Sequence, residues 1–393
     1  MPRKKTINPD IIEASKSIDP ELFRNSIKAN FSDFPDPREE GKVYFPIWYL
    51  FLITLSGFLA GCNTISDLAT FADMRHQWLI GLLGKIERPA SYDTLWYFFA
   101  RTSPDAFREL LSAWLDKLPE GLKRQVLALD GKRLRGANFL GDQVHLVELF
   151  ATEQGLTIAQ RKVPEKKGEA SVLEPILSSV NVQGSIISAD ALYCNTHVAS
   201  VIRSNGADYL LALKGNQGTL EKEIINYFDQ AHGVSFDGVP VDQHKTEGRK
   251  HGREELRYTF VLQDLSWLPQ LQKWTDLKSV IEVVSQRVVG DKREYSRRLY
   301  LSSASGSAKD FSGWIRSHWA IENNLHWVAD VVFREDARTA SAGHCAENLG
   351  TMTRLGMNLI RLFDPKIGLA DARRFGCWDE RYIEGLMAKL FIK

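Results

Sequence analysis

Cysteine is scarce in this chain and follows none of the spacings that a disulfide framework or a structural zinc site requires. Its 393 residues include 4 cysteines, at positions 62, 194, 345 and 377, without a CxxC pair. The amino-terminal residues also lack the pattern of a secretory signal. We therefore expect a protein of the reducing cytoplasm. The absence of an HExxH motif argues in addition against a zinc metalloprotease.

An excess of charge of either sign is also missing. Lysine and arginine together number 50, and aspartate and glutamate together number 49. The net charge therefore gives no support for a nucleic-acid partner, and only local basic patches could provide it. The composition, 44% hydrophobic and 25% charged, is typical of a soluble protein with a sizeable core. The length predicts roughly two or three domains.

Long apolar runs are rare. One charge-free segment could form either a membrane helix or a buried helix. Residues from Val43 to Ser66 carry no charge and include the run FPIWYLFLITLSGFLAGC. The segment contains Pro46, Gly57 and Gly61, it is close to the lower length limit for a bilayer span, and no comparable second segment follows. We interpret it as a buried helix and expect no membrane partner.

The amino-terminal part of the chain predicts helices. Residues 1–30 begin with the basic string PRKK and are interpreted as a loosely held basic tail. Residues 31–120 keep apolar positions at helical spacing and predict a helical domain. This domain could be a plain helical bundle or a module that binds DNA ends, and helical periodicity alone does not separate the two.

From Gln125 onward the pattern changes to that of a mixed α/β sheet. The runs QVLALD, HLVELFAT and LTIAQRKV predict three antiparallel strands, and helices then alternate with the strands GSIISAD and YLLALK. This order predicts a ribonuclease-H-like (retroviral-integrase-like) core over 121–363, in which the first and fourth strands are neighbours. A β-rich insertion is expected at about 230–305, where HGREELRYTFVL, LKSVIEVVSQRVV and REYSRRLYLSS predict three strands. A helix is expected to begin at Ala308 and to run past Asp330. Residues 364–393 are expected as a carboxy-terminal tail.

Three acidic residues stand at points that such a fold would bring together. Asp130 and Asp190 end the apolar runs of the first and fourth strands, and Glu322 lies in the helical segment IRSHWAIENNLHW. Each alone is weak evidence, because an Asp-Gly pair at a strand end is also a common turn. Together they could hold two divalent ions such as Mg²⁺, which prefer carboxylate oxygens and leave positions open for water and phosphate. The pattern therefore points to phosphoryl transfer on nucleic acid.

Two histidines flank the glutamate at helical spacing. His318 and His326 stand four residues before and four residues after Glu322, so the three side chains are expected on one helix face. A protein-bound zinc ion is disfavoured by the missing metalloprotease motif. We interpret the two histidines as phosphate or DNA contacts, or as groups that orient the carboxylate site.

Four strings of the sequence are longer than a short motif and occur in a fixed order. They are LALDGKRLRGA, ISADALYCN, ADYLLALKGNQGTL and IRSHWAIENNLHWVADVVFREDA. In order and separation they resemble the H-repeat-associated (RhsB-type) DDE transposases of bacterial insertion sequences. FSDFPDPREEGK and the helices after it resemble the amino-terminal associated domain of that family, so the likeness extends from about Phe31 to Arg361.

The resemblance implies a DNA transposase of a bacterial insertion sequence with a DDE triad of Asp130, Asp190 and Glu322. It implies metal-dependent endonucleolytic cleavage at the element ends and strand transfer to target DNA, with two Mg²⁺ ions that Mn²⁺ can replace. The implied partners are double-stranded DNA, as terminal inverted repeats and as target, and further copies of the chain assembled on that DNA. The implied location is the cytoplasm, in association with the nucleoid.

Nine basic positions are candidate DNA contacts. Those directly after the first aspartate could hold the phosphate backbone near the metal ions, or could equally form an exposed basic turn. Those in the β-rich insertion could contact DNA or belong to a solvated surface. The candidates are Lys132, Arg133, Arg135, Lys214, Arg249, Lys250, Arg316, His318 and His326.

The last helix departs from the pattern of a wider group of related transposases. These often carry tyrosine, arginine, glutamate and lysine along this helix, and the corresponding positions here hold Ile315, His318, Glu322 and Ala329. Arg316 and the two histidines are candidates to supply the missing basic groups. Two alternatives stay open, which are a transposase-derived DNA-binding protein without catalysis and a nuclease of the same fold without strand transfer.

Overall fold

The computed structural model describes residues 5–39, 41, 43–115, 125–139, 142–165, 167–250, 253–290, 292–340 and 342–392, without the side chains at 138, 139, 142, 250 and 253. The helices in this part are α1 (Pro9–Lys16), α2 (Pro20–Asn30), α3 (Ile47–Leu59), α4 (Ile65–Met74), α5 (His76–Leu83), α6 (Tyr92–Arg101), α7 (Pro104–Leu115), α8 (Leu173–Leu177), α9 (Thr196–Ser204), α10 (Gly218–Gly233), α11 (Ala308–His318), α12 (Trp327–Val331), α13 (Cys345–Phe363), α14 (Leu369–Trp378) and α15 (Glu380–Phe391). The strands are β1 (Val126–Phe139), β2 (Asp142–Ala151), β3 (Leu156–Lys162), β4 (Ile186–Ala189), β5 (Asp208–Leu213), β6 (Asp242–Lys250), β7 (Arg253–Leu262), β8 (Ser279–Val289) and β9 (Lys292–Ser302).

The amino-terminal part is helical, as the sequence predicts. The side chains of Asn8 and Asp19 cap α1 and α2 by accepting hydrogen bonds from backbone N–H groups, and a proline follows each cap. The charge-free segment forms α3, which is buried on almost every side. Among the residues that the structure describes, no helix is both long and apolar enough to cross a membrane.

Both ends of the chain, expected as tails, pack into the fold. α1 and α2 lie against α15, and a Cβ atom at Gly385 would lie 2.0 Å from the carbonyl oxygen of Ile11. Phe23 of α2 meets Phe391 of α15 edge-on, with 6.0 Å between the ring centroids. The expectation of loose tails is therefore wrong for residues 9–30 and for most of 364–393, because apolar side chains at helical spacing are buried there. Residues 1–4 lie outside the described part.

The described strands form one mixed sheet of nine, in the order β3-β2-β1-β4-β5-β9-β8-β7-β6. β2 is antiparallel to both β1 and β3, whereas β4 is parallel to β1 and β5 is parallel to β4. The expected neighbourhood of the first and fourth strands is confirmed. The chain is therefore a mixed α/β protein in which one large sheet organises the helices.

The pairing of β1 with β4 brings two of the predicted acids side by side. The two strands run parallel, and Leu129 opposite Ala189 is the last pair in register. Asp130 follows Leu129 within β1, and Asp190 directly follows Ala189, the last residue of β4. β1 continues to Phe139 in pairing with β2, so Asp130 lies inside a strand and does not end it.

The insertion contributes four strands to the sheet, one more than the sequence predicts. β9 pairs antiparallel with β5, and β8, β7 and β6 continue the sheet outward. The missed strand is β6, whose sequence DQHKTEGRK contains no large apolar residue and so lacks the alternation that marks a half-buried strand. It forms the outermost strand, where a charged sequence is common because it discourages pairing with other chains.

Alternate residues of the central strands face two different helical layers. Leu127 belongs to the largest core, which also contains residues of α8, α9 and α10. Ala128 belongs to a separate core with Ile321 and Leu325, which lie between α11 and α12. Asp130 stands two residues beyond Ala128 and therefore lies on the face of the sheet that this second layer covers.

Candidate active site

Asp130 is a largely buried carboxylate with a raised pKa. Its Oδ1 accepts a hydrogen bond from the N–H of Gly131 at 2.8 Å. Burial raises the pKa of Asp130 to about 6, and the charges of Asp190 and Glu322 act in the same direction, whereas His326 and the Gly131 N–H act to lower it. A buried carboxylate with a raised pKa that stands beside two further acidic groups is typical of a site that a cation completes.

Asp190 stands at the exposed rim of the same site. Its Oδ1 accepts a hydrogen bond from the N–H of Leu192 at 2.8 Å, which fixes the carboxylate at the start of a short helical turn. Asp190, Asp130 and Glu322 all line one cavity of about 230 Å³. The fold thus brings the three predicted acids to a single cavity.

Glu322 lies in a π-helical turn that interrupts the predicted continuous helix. The segment expected from Ala308 past Asp330 is divided into α11, the π turn Ile321–His326 and α12. The N–H of Trp327 donates to the carbonyl oxygen of Glu322, five residues back. Such a turn widens the helix locally and is frequent at functional sites.

The tightest group of potential metal ligands in the described residues consists of Asp130, Glu322 and His326. A carboxylate oxygen of each acid and a ring nitrogen of the histidine all lie within 4.8 Å of one another. Asp190 lies outside this group but lines the same cavity. A donor set that is rich in oxygen and includes one imidazole fits a divalent cation.

The two histidines that flank the glutamate have different environments. His326 is buried, with Nδ1 at 3.6 Å from Oδ2 of Asp130 and Nε2 at 3.2 Å from Oε2 of Glu148. His318 lines the cavity, and its Nδ1 lies 3.0 Å from the hydroxyl oxygen of Ser188. Burial lowers the pKa of His318 and so favours its neutral form. Burial argues against His326 as a DNA contact and supports the other interpretation, that it orients the carboxylate site.

Beneath the cavity lies a buried ionic network that the sequence analysis missed. Both carboxylate oxygens of Glu148 face the guanidinium of Arg354, at 2.6 and 3.1 Å, and Arg354 also pairs with Glu335. Burial acts to raise the pKa of Glu148, but Arg354 and His326 hold it well below its usual range. Glu148 is therefore ionised where it meets His326.

Lys132 belongs to this network and not to a DNA surface. Its Nζ lies 3.2 Å from Oε2 of Glu335, pairs with Asp330 and donates to the carbonyl oxygen of His326 at 3.3 Å. Only 6% of its side chain is exposed. The prediction that Lys132 contacts phosphate is therefore wrong, because side chains alternate along β1 and this one shares the inward face with Asp130.

Two features of the sequence signal that such a network exists. Glu148 stands in the apolar strand run HLVELFAT, and Arg354 stands in the apolar helix run TMTRLGMNLI. A charged residue inside an apolar run is rarely buried without a partner of opposite charge. The sequence does not reveal which residues pair, because these two are 206 positions apart.

Four of the remaining basic candidates on the strands and loops are exposed. Arg133 and Arg135 project from β1 on its exposed side, and Lys214 stands at the rim of the acidic cavity. Arg249 on β6 has 80% of its side chain exposed. The side chain of Lys250 lies outside the described residues. Arg133, Arg135, Lys214 and Arg249 are accessible enough to contact DNA.

A groove of about 830 Å³ adjoins the acidic cavity. Strands β7 to β9 form one wall, and α11 with the π turn forms the other. The guanidinium of Arg298 lies 5.2 Å from the ring centre of Trp319, and both residues line the groove as well as the cavity, so the two spaces are continuous. Arginines outnumber acidic residues in the lining of this basic groove, and Arg257 is paired with Glu255 at 2.7 Å. The charged and exposed aromatic lining residues are Arg257, Arg287, Arg298, Arg316, Glu255, Glu294, Tyr295 and Trp319.

Comparison with known proteins agrees with this geometry. Residues 121–355, more than half of the chain, match the family described as Transposase DDE domain, and residues 28–115 match the DDE_Tnp_1-associated family. "Putative transposase YncI" of Escherichia coli O157:H7 is 30% identical over 371 residues, which cover 91% of this chain and 93% of that protein. "H repeat-associated putative transposase YhhI" of Escherichia coli K12 is 29% identical over 371 residues, which cover 91% of this chain and 97% of that protein. Among solved structures, a synaptic complex of piggyBac transposase with hairpin DNA aligns over 96% of this chain and 80% of the transposase chain. The TM-score is 0.41 and the identity 10%, so this likeness carries no argument.

Proposed function

The chain belongs to the Transposase DDE domain family, and from this premise we propose that it cleaves the ends of a bacterial insertion sequence and joins them to target DNA. The observation that carries the proposal is the convergence of Asp130, Asp190 and Glu322 on one cavity. Cleavage and strand transfer are both in-line displacements at phosphorus, so one site of this kind can serve both steps.

The catalytic core that we propose is ribonuclease-H-like. The strand order β3-β2-β1-β4-β5, with β2 alone antiparallel to β1, supports this assignment. Strands β6 to β9 would then be the insertion that precedes the glutamate segment. Metal-dependent chemistry at the junction of β1 and β4 follows from this arrangement, since both aspartates stand where the two strands stop pairing.

Helices α3 to α7 would bind the element ends, and the catalytic part would extend over about 121–363. The separate family match over residues 28–115 supports a distinct role for this helical part. α13 packs against α3, α6 and α7. The helical part is thus fixed to the helix that also carries Arg354, so end binding and catalysis would occur on one rigid unit.

Asp130, Asp190 and Glu322 would hold two Mg²⁺ ions, with Mn²⁺ as a substitute. Ions bound there activate a water nucleophile and stabilise the charge on the leaving 3′ oxygen. The N–H groups of Gly131 and Leu192 orient the carboxylates of the two aspartates in advance. Burial is the main cause of the raised pKa of Asp130, and the charges of Asp190 and Glu322 add a smaller effect in the same direction that a divalent cation would offset.

The basic groove would receive the DNA strand that carries the scissile phosphate. Its arginines suit phosphate oxygens, and the rings of Tyr295 and Trp319, 68% and 44% exposed, suit stacking with bases. After cleavage, the freed 3′-hydroxyl would remain beside the same carboxylates for attack on target DNA. Two element ends must be joined to one target, so we further propose that copies of the chain act together on paired ends.

Cleavage of a linear fragment that carries the element's own ends tests this function. With chelator-stripped protein, we expect nicks at the ends in Mg²⁺ or Mn²⁺ and joined products on longer incubation. Ca²⁺ should support binding but little cleavage, because its larger radius and looser coordination misplace the reacting oxygens. Binding without nicks would favour a silent DNA-binding protein, and nicks without joined products would favour a nuclease. Full activity in excess chelator would contradict metal dependence.

Reversing the charge of Arg316 is expected to weaken DNA binding by about tenfold at low salt, because its exposed side chain lines the groove. The slope of log Kd against log salt should fall by about one. Fluorescence anisotropy with labelled end DNA at several salt concentrations measures both effects. Lys309→Glu is the matched control, since Lys309 is an exposed cation on the same helix. Equal losses in the two variants would argue against the groove as the path of the DNA.

A further inference from the structure

His326 is the one nitrogen donor in the tight group formed with Asp130 and Glu322, among the residues that the structure describes. Its ring is buried, so its position is set by the fold and not by solvent. The π turn holds Glu322 and His326 on the same side, four residues apart, above the face of the sheet that carries Asp130. The Nδ1 atom of His326 lies 3.6 Å from Oδ2 of Asp130.

The other ring nitrogen of His326 faces a fixed negative charge. Nε2 lies 3.2 Å from Oε2 of Glu148, a side chain with no exposed surface. Arg354 contacts both oxygens of that carboxylate, which is the geometry of an ionised Arg–carboxylate pair. This contact is close without being a well-directed hydrogen bond, but a fixed negative charge at this distance favours the tautomer with its proton on Nε2. The lone pair of the imidazole is then on Nδ1.

A lone pair on Nδ1 would point into a space that two carboxylates already share, and that arrangement is unfavourable without a cation between them. A histidine that ligates a metal commonly donates its other N–H to a carboxylate, which fixes both the tautomer and the ring orientation. We infer that Nδ1 of His326 is a direct ligand of one divalent cation, together with Asp130 and Glu322. This inference rests on the proposed metal-dependent function and adds a ligand to it.

An imidazole ligand changes which ions the site prefers. Mg²⁺ favours oxygen donors, whereas Mn²⁺ accepts oxygen and imidazole ligands together. The site should therefore favour Mn²⁺ over Mg²⁺ more strongly than a purely carboxylate site would. Glu148 and Arg354 act as positioning residues, because Glu148 contacts the ring of His326 and Arg354 holds Glu148 in place from inside the fold.

Electron spin-echo spectroscopy of Mn²⁺ bound to the metal-stripped protein, without DNA, tests the ligand directly. We expect nuclear modulation from a ¹⁴N atom in the wild type and its replacement by a ¹⁵N pattern when the protein contains ¹⁵N-histidine. This measurement needs no variant, so it does not depend on how any substitution folds. Mn²⁺ binding without nitrogen modulation would overturn the inference and leave the proposed function intact. Failure of the wild type to bind Mn²⁺ at all would overturn both.

Two histidine variants then identify the residue. His326→Gln should lose the nitrogen modulation and bind Mn²⁺ at least about tenfold more weakly, whereas His318→Gln should keep the modulation and the affinity. His318 is the matched control because it lines the same cavity and stands at equal distance in sequence from Glu322. Nitrogen modulation that persists in His326→Gln and vanishes in His318→Gln would reassign the ligand and overturn the inference.

Discussion

Replacing Asp130 with asparagine is expected to abolish cleavage of element ends while leaving DNA binding largely intact. Asparagine keeps the shape of the side chain and its contact with the Gly131 N–H, but it removes the charge that a divalent cation needs. The loss of a metal ligand withdraws several kcal/mol of transition-state stabilisation, so the rate should fall by on the order of 10³-fold or more. Gel assays of nicking and anisotropy with the same end fragment measure the two activities side by side. A parallel loss of binding would contradict the separation of catalytic acids from basic DNA contacts.

The same variant should fold more stably than the wild type above neutral pH in the absence of metal. The pKa of Asp130 is about 6 in the folded chain against an ordinary value of 3.8, so the folded state binds the proton more tightly. The bound proton therefore stabilises the folded wild type by up to about 3 kcal/mol. This stabilisation is fully present below pH 3.8 and is lost as the pH rises through about 6. Asparagine has no such dependence. Urea unfolding of both proteins at pH 4 and pH 7.5 measures this effect. The variant should have the higher free energy of unfolding at pH 7.5 but not at pH 4.

The sequence predicts the central part of the site because two short-range patterns determine it. Apolar runs that end in Asp130 and Asp190 predict strands, and the order of strands and helices predicts that these two strands are neighbours. The pattern predicts Glu322 less firmly, and the resemblance supports it, since a helical pattern alone does not say which acidic residue on a helix faces the sheet. The π turn was not predictable, because hydrogen bonding to the fifth residue has no residue pattern of its own.

The supporting network was missed for a different physical reason. Periodicity reports whether a segment is a helix or a strand, but not which distant charges share a buried space. Lys132 follows an Asp-Gly pair and has the appearance of a basic turn, yet it lies inside β1 and pairs with Glu335 and Asp330. The expectation of two loose tails is wrong for a similar reason, since a helix as short as α1 depends mainly on packing against a distant element, here α15, that periodicity does not reveal.

Replacing Arg354 with methionine is expected to destabilise the whole chain by about 3–5 kcal/mol, because it leaves Glu148 and Glu335 charged, buried and without their main counter-ion. Such a loss is a large fraction of the stability of a typical domain. Urea unfolding followed by circular dichroism measures it. Arg361→Met is the control on the same helix, because Arg361 donates to the carbonyl oxygens of Gly155 and Asn324 and its removal exposes no buried carboxylate to repulsion.

A triple variant separates the effect of the charge of Arg354 on stability from the effect of its packing. Combining Arg354→Met with Glu148→Gln and Glu335→Gln removes the two stranded charges, so at least half of the lost stability should return. The restored fold should nevertheless bind Mn²⁺ about 10- to 100-fold more weakly, because a neutral amide at position 148 no longer fixes the tautomer and orientation of His326. A triple variant as unstable as Arg354→Met alone would mean that the volume of the guanidinium, and not its charge, supports the fold. Recovered stability with unchanged Mn²⁺ affinity would mean that the network serves folding and has no part in preparing the site.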